Sequence, residues 1–271
     1  MYSLARPYTP SRGRLLDDTP VPLLAVLAVG AGAAWTLAMA GLVPAALARA
    51  VGAGAAQGAL LATAVAWVVE RPERSPALLP VGAAAVALVG AVGAATAPVG
   101  VALYLLAPLW LWRHRARLPA LGLDATAARL TGAGIALGAV LGVHLAITAS
   151  LTLGYRVARA PASELAPWFA YDAGANVLAA ECFFRGALFD RAQRRWSFAA
   201  AAALSTAACV TRYLVDPLLP RTLEVAAGAA FYVTLLSAGN CWLYWRSGSV
   251  VPGLAAGLVF FAAYRLLHIV R

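Results

Sequence analysis

The chain has 271 residues, of which 62% are hydrophobic and 12% charged. Its mean hydropathy is +0.78 and its apolar residues come in long blocks, which excludes a water-soluble globular domain. The formal charge is +10 and every basic side chain apart from histidine is arginine, but these arginines gather in short loops between apolar blocks, so membrane orientation accounts for them and nucleic acid is not an expected partner.

An apolar run of about 20 residues spans a bilayer as a helix. Lipid offers the backbone no hydrogen-bond partner, and the chain lacks the alternation of barrel strands. The expected class is therefore all-α: a polytopic transmembrane helical bundle of about eight to nine spans. Candidate spans cover 21–43 and 51–69, then two that divide 76–112 with a break near Ala97-Pro98. Further spans cover 131–153, 165–190, 197–215, 223–245 and 249–268. The polar stretch before the first block argues against a cleaved signal peptide. Segment 118–130 is too short and polar to cross, and reads as an amphipathic surface helix. It divides the chain into residues 1–117, with about four spans, and residues 118–271, which carry nearly all the deep polar side chains.

Placing the N-terminus in the cytoplasm puts Arg6, Arg12, Arg14, Arg71, Arg74, Arg113, Arg115, Arg117, Arg191, Arg194, Arg195 and Arg246 inside. Small residues four apart, such as Gly54 with Gly58, Gly134 with Gly138 and Gly142, and Gly253 with Gly257, allow close helix approach. Cys182, Cys209 and Cys241 lie apart in apolar segments and read as buried free thiols. No nucleotide loop, haem motif or metal-ligand spacing occurs, so no cofactor and no metal are expected.

Ionisable residues inside a span are costly and mark candidate sites. On the sixth span these are Asp172, Asn176, Glu181 and Arg185; elsewhere they are His144, Arg212, Asn240 and Arg265. Glu181 and Arg185 stand four apart and can pair on one helix face. Asp172 and Asn176 lie nearer the outer end, where hydration serves them. Arg212 has Asp216 one turn on and Cys209 three residues before it. His144 reads as a hydrogen-bonded packing residue.

The run ECFFRG, followed by ALFDRAQRR, resembles the motif of the glutamic intramembrane proteases of the CAAX protease and bacteriocin-processing (CPBP) family. WRSGSVVPGLAAGLVFF (245–261) resembles that family's last core helix, and Leu121-Gly122-Leu123 its preceding LGL element. The resemblance covers residues 120–268 and implies a membrane endopeptidase fold. It also implies four catalytic positions: a first glutamate, a histidine on the next helix, and a histidine and an asparagine on the last. Here those positions are Ala180, Tyr213, Gly257 and Phe261, and no histidine occurs in 145–267. Glu181 falls one residue along, about 100° round a regular helix. The expectation is a catalytically degenerate member that binds a transmembrane segment, a lipidated peptide or a membrane protein in the bilayer, with Glu181 and Arg185 organising the cavity. The alternatives are an active endopeptidase using Glu181 with His144, and a transport or assembly subunit. A bacterial inner membrane is the expected location.

Overall fold

The computed structural model describes residues 18–69, 78–123, 128–157, 161–215 and 222–269. Arg6, Arg12, Arg14, Arg71, Arg74 and Asp216 lie outside them. The helices are α1 (Val21–Met39), α2 (Ala45–Val68), α3 (Leu78–Thr96) and α4 (Leu106–Arg113), the last preceded by a 3-10 stretch, Pro98–Leu105. After α5 (Ala128–Leu153), one continuous helix runs over 162–193. Then follow α9 (Phe198–Leu214), α10 (Leu223–Ser247) and α11 (Val251–Arg265). Five of these, α1, α2, α3, α5 and α10, are long and apolar enough to cross a membrane by length and composition. The chain is an integral membrane protein of the all-α class. A three-residue antiparallel strand pair, β1 (Tyr155–Val157) with β2 (Leu267–Ile269), ties the end of α5 to the end of α11.

The expected order holds, and local chemistry sets the ends. Pro98 follows Ala97, whose extended backbone breaks the third and fourth helices apart. The Ser197 and Thr222 hydroxyls cap α9 and α10 at their N-termini, and Gly248 ends α10 in the left-handed conformation. The described part of segment 118–130 departs from the expectation, residues 124–127 lying outside the described residues. Pro119–Leu121 is a single 3-10 turn, Leu118 and Leu121 are fully buried, and α5 already begins at Ala128. Leu118 and Leu121 enter the core instead of lying at the surface.

Small residues set the closest helix contacts. A Cβ on Gly54 would stand 2.9 Å from the Ala91 Cβ, bringing α2 against α3. Cβ atoms on Gly134 and Gly138 would stand 2.2 and 2.3 Å from the carbonyl oxygens of Pro252 and Ala256, so α5 and α11 touch backbone to backbone. The two halves of the sequence share one core: Leu61 and Val65 of α2 pack in the same cluster as Leu178, Cys182 and Phe189 of the 162–193 helix.

Candidate functional site

Two π segments interrupt the 162–193 helix. It is α-helical over α6 (Ala162–Tyr171), π-helical over Asp172–Asn176, α-helical over α7 (Val177–Ala180), π-helical over Glu181–Phe189 and α-helical over α8 (Asp190–Gln193). Its polar residues Asp172, Asn176, Glu181, Arg185, Asp190 and Arg194 are separated alternately by four and five positions. In an α-helix of 3.6 residues per turn such a series would wind round the axis. The wider π turns, closed by hydrogen bonds one residue longer, hold it toward α9, α10 and α11. Leu178, Cys182 and Phe189 join the α2 core.

Three bonded pairs make up this stripe. At one end Asn176 Nδ2 donates to Asp172 at 3.1 Å. In the middle Arg185 Nη1 lies 3.4 Å from Glu181 Oε1. At the other end Arg194 holds both Asp190 oxygens, at 2.9 and 3.0 Å. Glu181 and Arg185 are 4% and 2% exposed, so this ion pair is shielded from both water and lipid. Asn240 of α10 donates to Glu181 Oε1 at 2.9 Å and to the Gly253 carbonyl at 3.3 Å. Arg185 Nη1 also approaches Cys209 Sγ at 3.4 Å. A Cβ on Gly253 would come within 2.5 Å of Glu181 Oε2, so α11 can lie beside the carboxylate only as glycine. Glu181 Oε2, Arg185 Nε and Asn240 Oδ1 are buried without a hydrogen-bond partner among the described residues.

These groups border a small cavity. Its wall includes Ala180, Glu181, Arg185, Tyr213, Gly257 and Phe261, with Val177, Cys209, Val233 and Leu236 completing it. The space open to a water-sized molecule is about 10 Å³, close to what one water needs. The four positions to which the resemblance points, Ala180, Tyr213, Gly257 and Phe261, thus converge with Glu181 and Arg185. Ala180 and Glu181 both reach the cavity although they are adjacent, since the junction of α7 with the π segment lies between them. Tyr213 and Phe261 stack at 5.7 Å and 22°, and the Arg212 guanidinium sits 4.5 Å over the Tyr213 ring. A Cβ on Gly257 would meet Val177 at 2.6 Å, leaving no room for a larger side chain there.

The other deep polar residues divide. Asp172 and Asn176 are buried rather than hydrated: Arg265 approaches Asp172 at 3.3 Å and Arg212 Nη1 donates to Asn176 Oδ1 at 3.0 Å. Arg212 therefore reaches across to the 162–193 helix. His144 is not at the cavity; its Nδ1 lies 2.7 Å from the Tyr232 hydroxyl in the α5–α10 contact. The pairing of Glu181 with His144 that the rearranged-site alternative requires is absent from the cavity wall.

Neither Cys209 beside Arg185 nor Gly253 under Glu181 has a signal in the sequence, because each contact joins two different helices. Two motif elements meet directly. Ser249 Oγ donates to the Gly122 carbonyl at 2.6 Å, and Gly122, with φ +65°, lies so close that a Cβ would stand 2.2 Å from the Ser249 Cα. Nearby the Tyr244 hydroxyl donates to the Ala120 carbonyl. The LGL element and the Gly-Ser turn form one clasp at the end of the bundle where α8 also ends.

The aromatic stack gives a direct expectation. In a chain carrying Cys182→Ala and Cys241→Ala, Cys209 resists a membrane-permeant maleimide, and adding Tyr213→Ala with Phe261→Ala speeds its labelling at least tenfold. Equal labelling rates would show that the rings do not close the cavity.

Residues 162–263 match the family model described as type II CAAX prenyl endopeptidase Rce1-like. No curated protein matches the chain, and no solved structure does.

Proposed function

Since residues 162–263 belong to the CPBP family, which makes this chain a CAAX protease-like membrane protein, we propose that it has lost proteolysis and acts by binding a transmembrane segment, a lipidated peptide or a membrane protein. One observation carries this reading. The cavity wall has alanine, tyrosine, glycine and phenylalanine where the family resemblance implies glutamate, histidine, histidine and asparagine. A general base needs a partner within hydrogen-bond or one-water reach, and an oxyanion needs fixed donors. Glu181 has no histidine beside it among the described residues, and the cavity before it has room for no more than about one water. Its Oε1 is held by Asn240 and Arg185, which suits a structural pivot. Asn176 and Arg212 brace the same helices from the outer side, and His144 serves α5. The orientation that suits the arginines has the N-terminus in the cytoplasm of a bacterial cell, with the chain in the inner membrane.

The presence of Glu181 on the cavity wall favours one second reading, an endopeptidase in which Glu181 replaces the missing first glutamate. Profiling of protein termini in membranes separates the two. Deletion of the protein is expected to alter partner abundance, while Glu181→Gln, compared at matched protein level because it unpairs the buried Arg185, leaves every cleavage product in place. Loss of the same cleavage products in both strains would establish proteolysis and overturn the binding reading.

A further inference from the structure

Among the described residues, the end of the bundle that holds the clasp carries arginines that no described carboxylate pairs. The described acidic residues there, Asp18 and Asp190, are both occupied by arginine: Arg191 lies 2.6 Å from Asp18, and Arg194 lies 2.8 Å from Asp190. Arg113, Arg115, Arg117 and Arg195 have no carboxylate partner among the described residues. Two of them are set beside exposed tryptophans. Arg115 lies 4.5 Å over Trp112 and donates to its carbonyl, and Arg195 precedes Trp196. Trp112 and Trp196 are 53% and 55% exposed. Tryptophan favours the headgroup level of a bilayer. At the opposite end Arg212 and Arg265 turn inward to Asn176 and Asp172.

We infer that the Arg113–Arg117 turn and Arg195 form a binding surface for anionic phospholipid headgroups, with Trp112 and Trp196 setting its depth in the bilayer. The chemistry is phosphate recognition by guanidinium groups at the interface, where each arginine near an anionic surface adds to attraction. His114 reports on the same field. Its imidazole is held below its ordinary value by partial burial and then by Arg117 and Arg113, and its ring lies 4.6 Å from that of Trp110. Headgroup phosphates that neutralise those arginines raise it again. The inference is independent of whether the cavity cuts a peptide.

The test uses the purified full chain in nanodiscs of phosphatidylcholine, with and without phosphatidylglycerol. Phosphatidylglycerol is expected to be enriched around the protein, to raise its unfolding midpoint, and to raise the His114 titration followed in a His144→Gln, His268→Gln background. Arg113→Gln, Arg115→Gln, Arg117→Gln and Arg195→Gln together lose the enrichment, by about fivefold per arginine. Should that variant fold poorly, high salt applied to the wild type must weaken the enrichment in the same way. Enrichment that is absent, or is unchanged in the folded variant or in salt, overturns the inference. So does binding of an acidic peptide to phosphatidylcholine discs with no preference for phosphatidylglycerol, which would assign the surface to a protein partner.

Discussion

Arg185→Leu destabilises the folded chain by about 3–5 kcal/mol, the cost of leaving a buried charge without its counterion. Glu181 is 4% exposed, and its other hydrogen-bond donor is the neutral Asn240. The same physics gives the double variant Glu181→Gln, Arg185→Leu a different outcome. With no charge left in the interior it recovers most of the lost stability, because two desolvation costs disappear together. Reversible unfolding in mixed micelles, run as a double-mutant cycle, measures both. A single variant within about 1 kcal/mol of wild type would mean that water reaches the pair, since exposed ion pairs contribute no more than that.

Gly122→Val is expected to cost about 2–5 kcal/mol, combining a left-handed backbone with overpacking. The added Cβ would collide with the Ser249 Cα at 2.2 Å and the Gly248 carbonyl at 2.5 Å, all backbone or next to it, so no side-chain rotation relieves it. The clasp then opens, Ser249 Oγ loses the Gly122 carbonyl, and α11 loses its anchored start. A lower unfolding midpoint and faster proteolysis near residues 118–123 are the measurements. Ser249→Ala removes the hydrogen bond without the collision and is expected to cost only about 1–2 kcal/mol. If both variants behave alike, the hydrogen bond and not the close approach holds the clasp.

Together these variants separate the two devices that place Glu181. The ion pair fixes the carboxylate within its own helix, and the clasp fixes α11 so that Gly253 can lie beside it. Neither device depends on catalysis.

By itself the sequence determined the membrane setting, the order of the helices and the pairing of Glu181 with Arg185. Each of these depends on local quantities: the length of an apolar run, a proline at a break, and two residues four apart. The convergence of positions 180, 213, 257 and 261 was legible only through the motif spacing around Arg185 and Ser249, since spacing conveys a helix face once the fold is given. Tertiary structure decided the rest. Segment 118–130 read as a surface helix because it is short and polar, but the 162–193 helix and α2 offered Leu118 and Leu121 a core. Asp172 looked hydrated, but Arg265, 93 residues away, turned in to meet it. The π windings are not encoded by any propensity, because their cost is met by the contacts they allow: a stripe at alternating four and five residues stays bonded to α9, α10 and α11 only if the helix widens. Local chemistry selects helices, while the partner of a buried charge is chosen by whichever distant segment folding brings beside it.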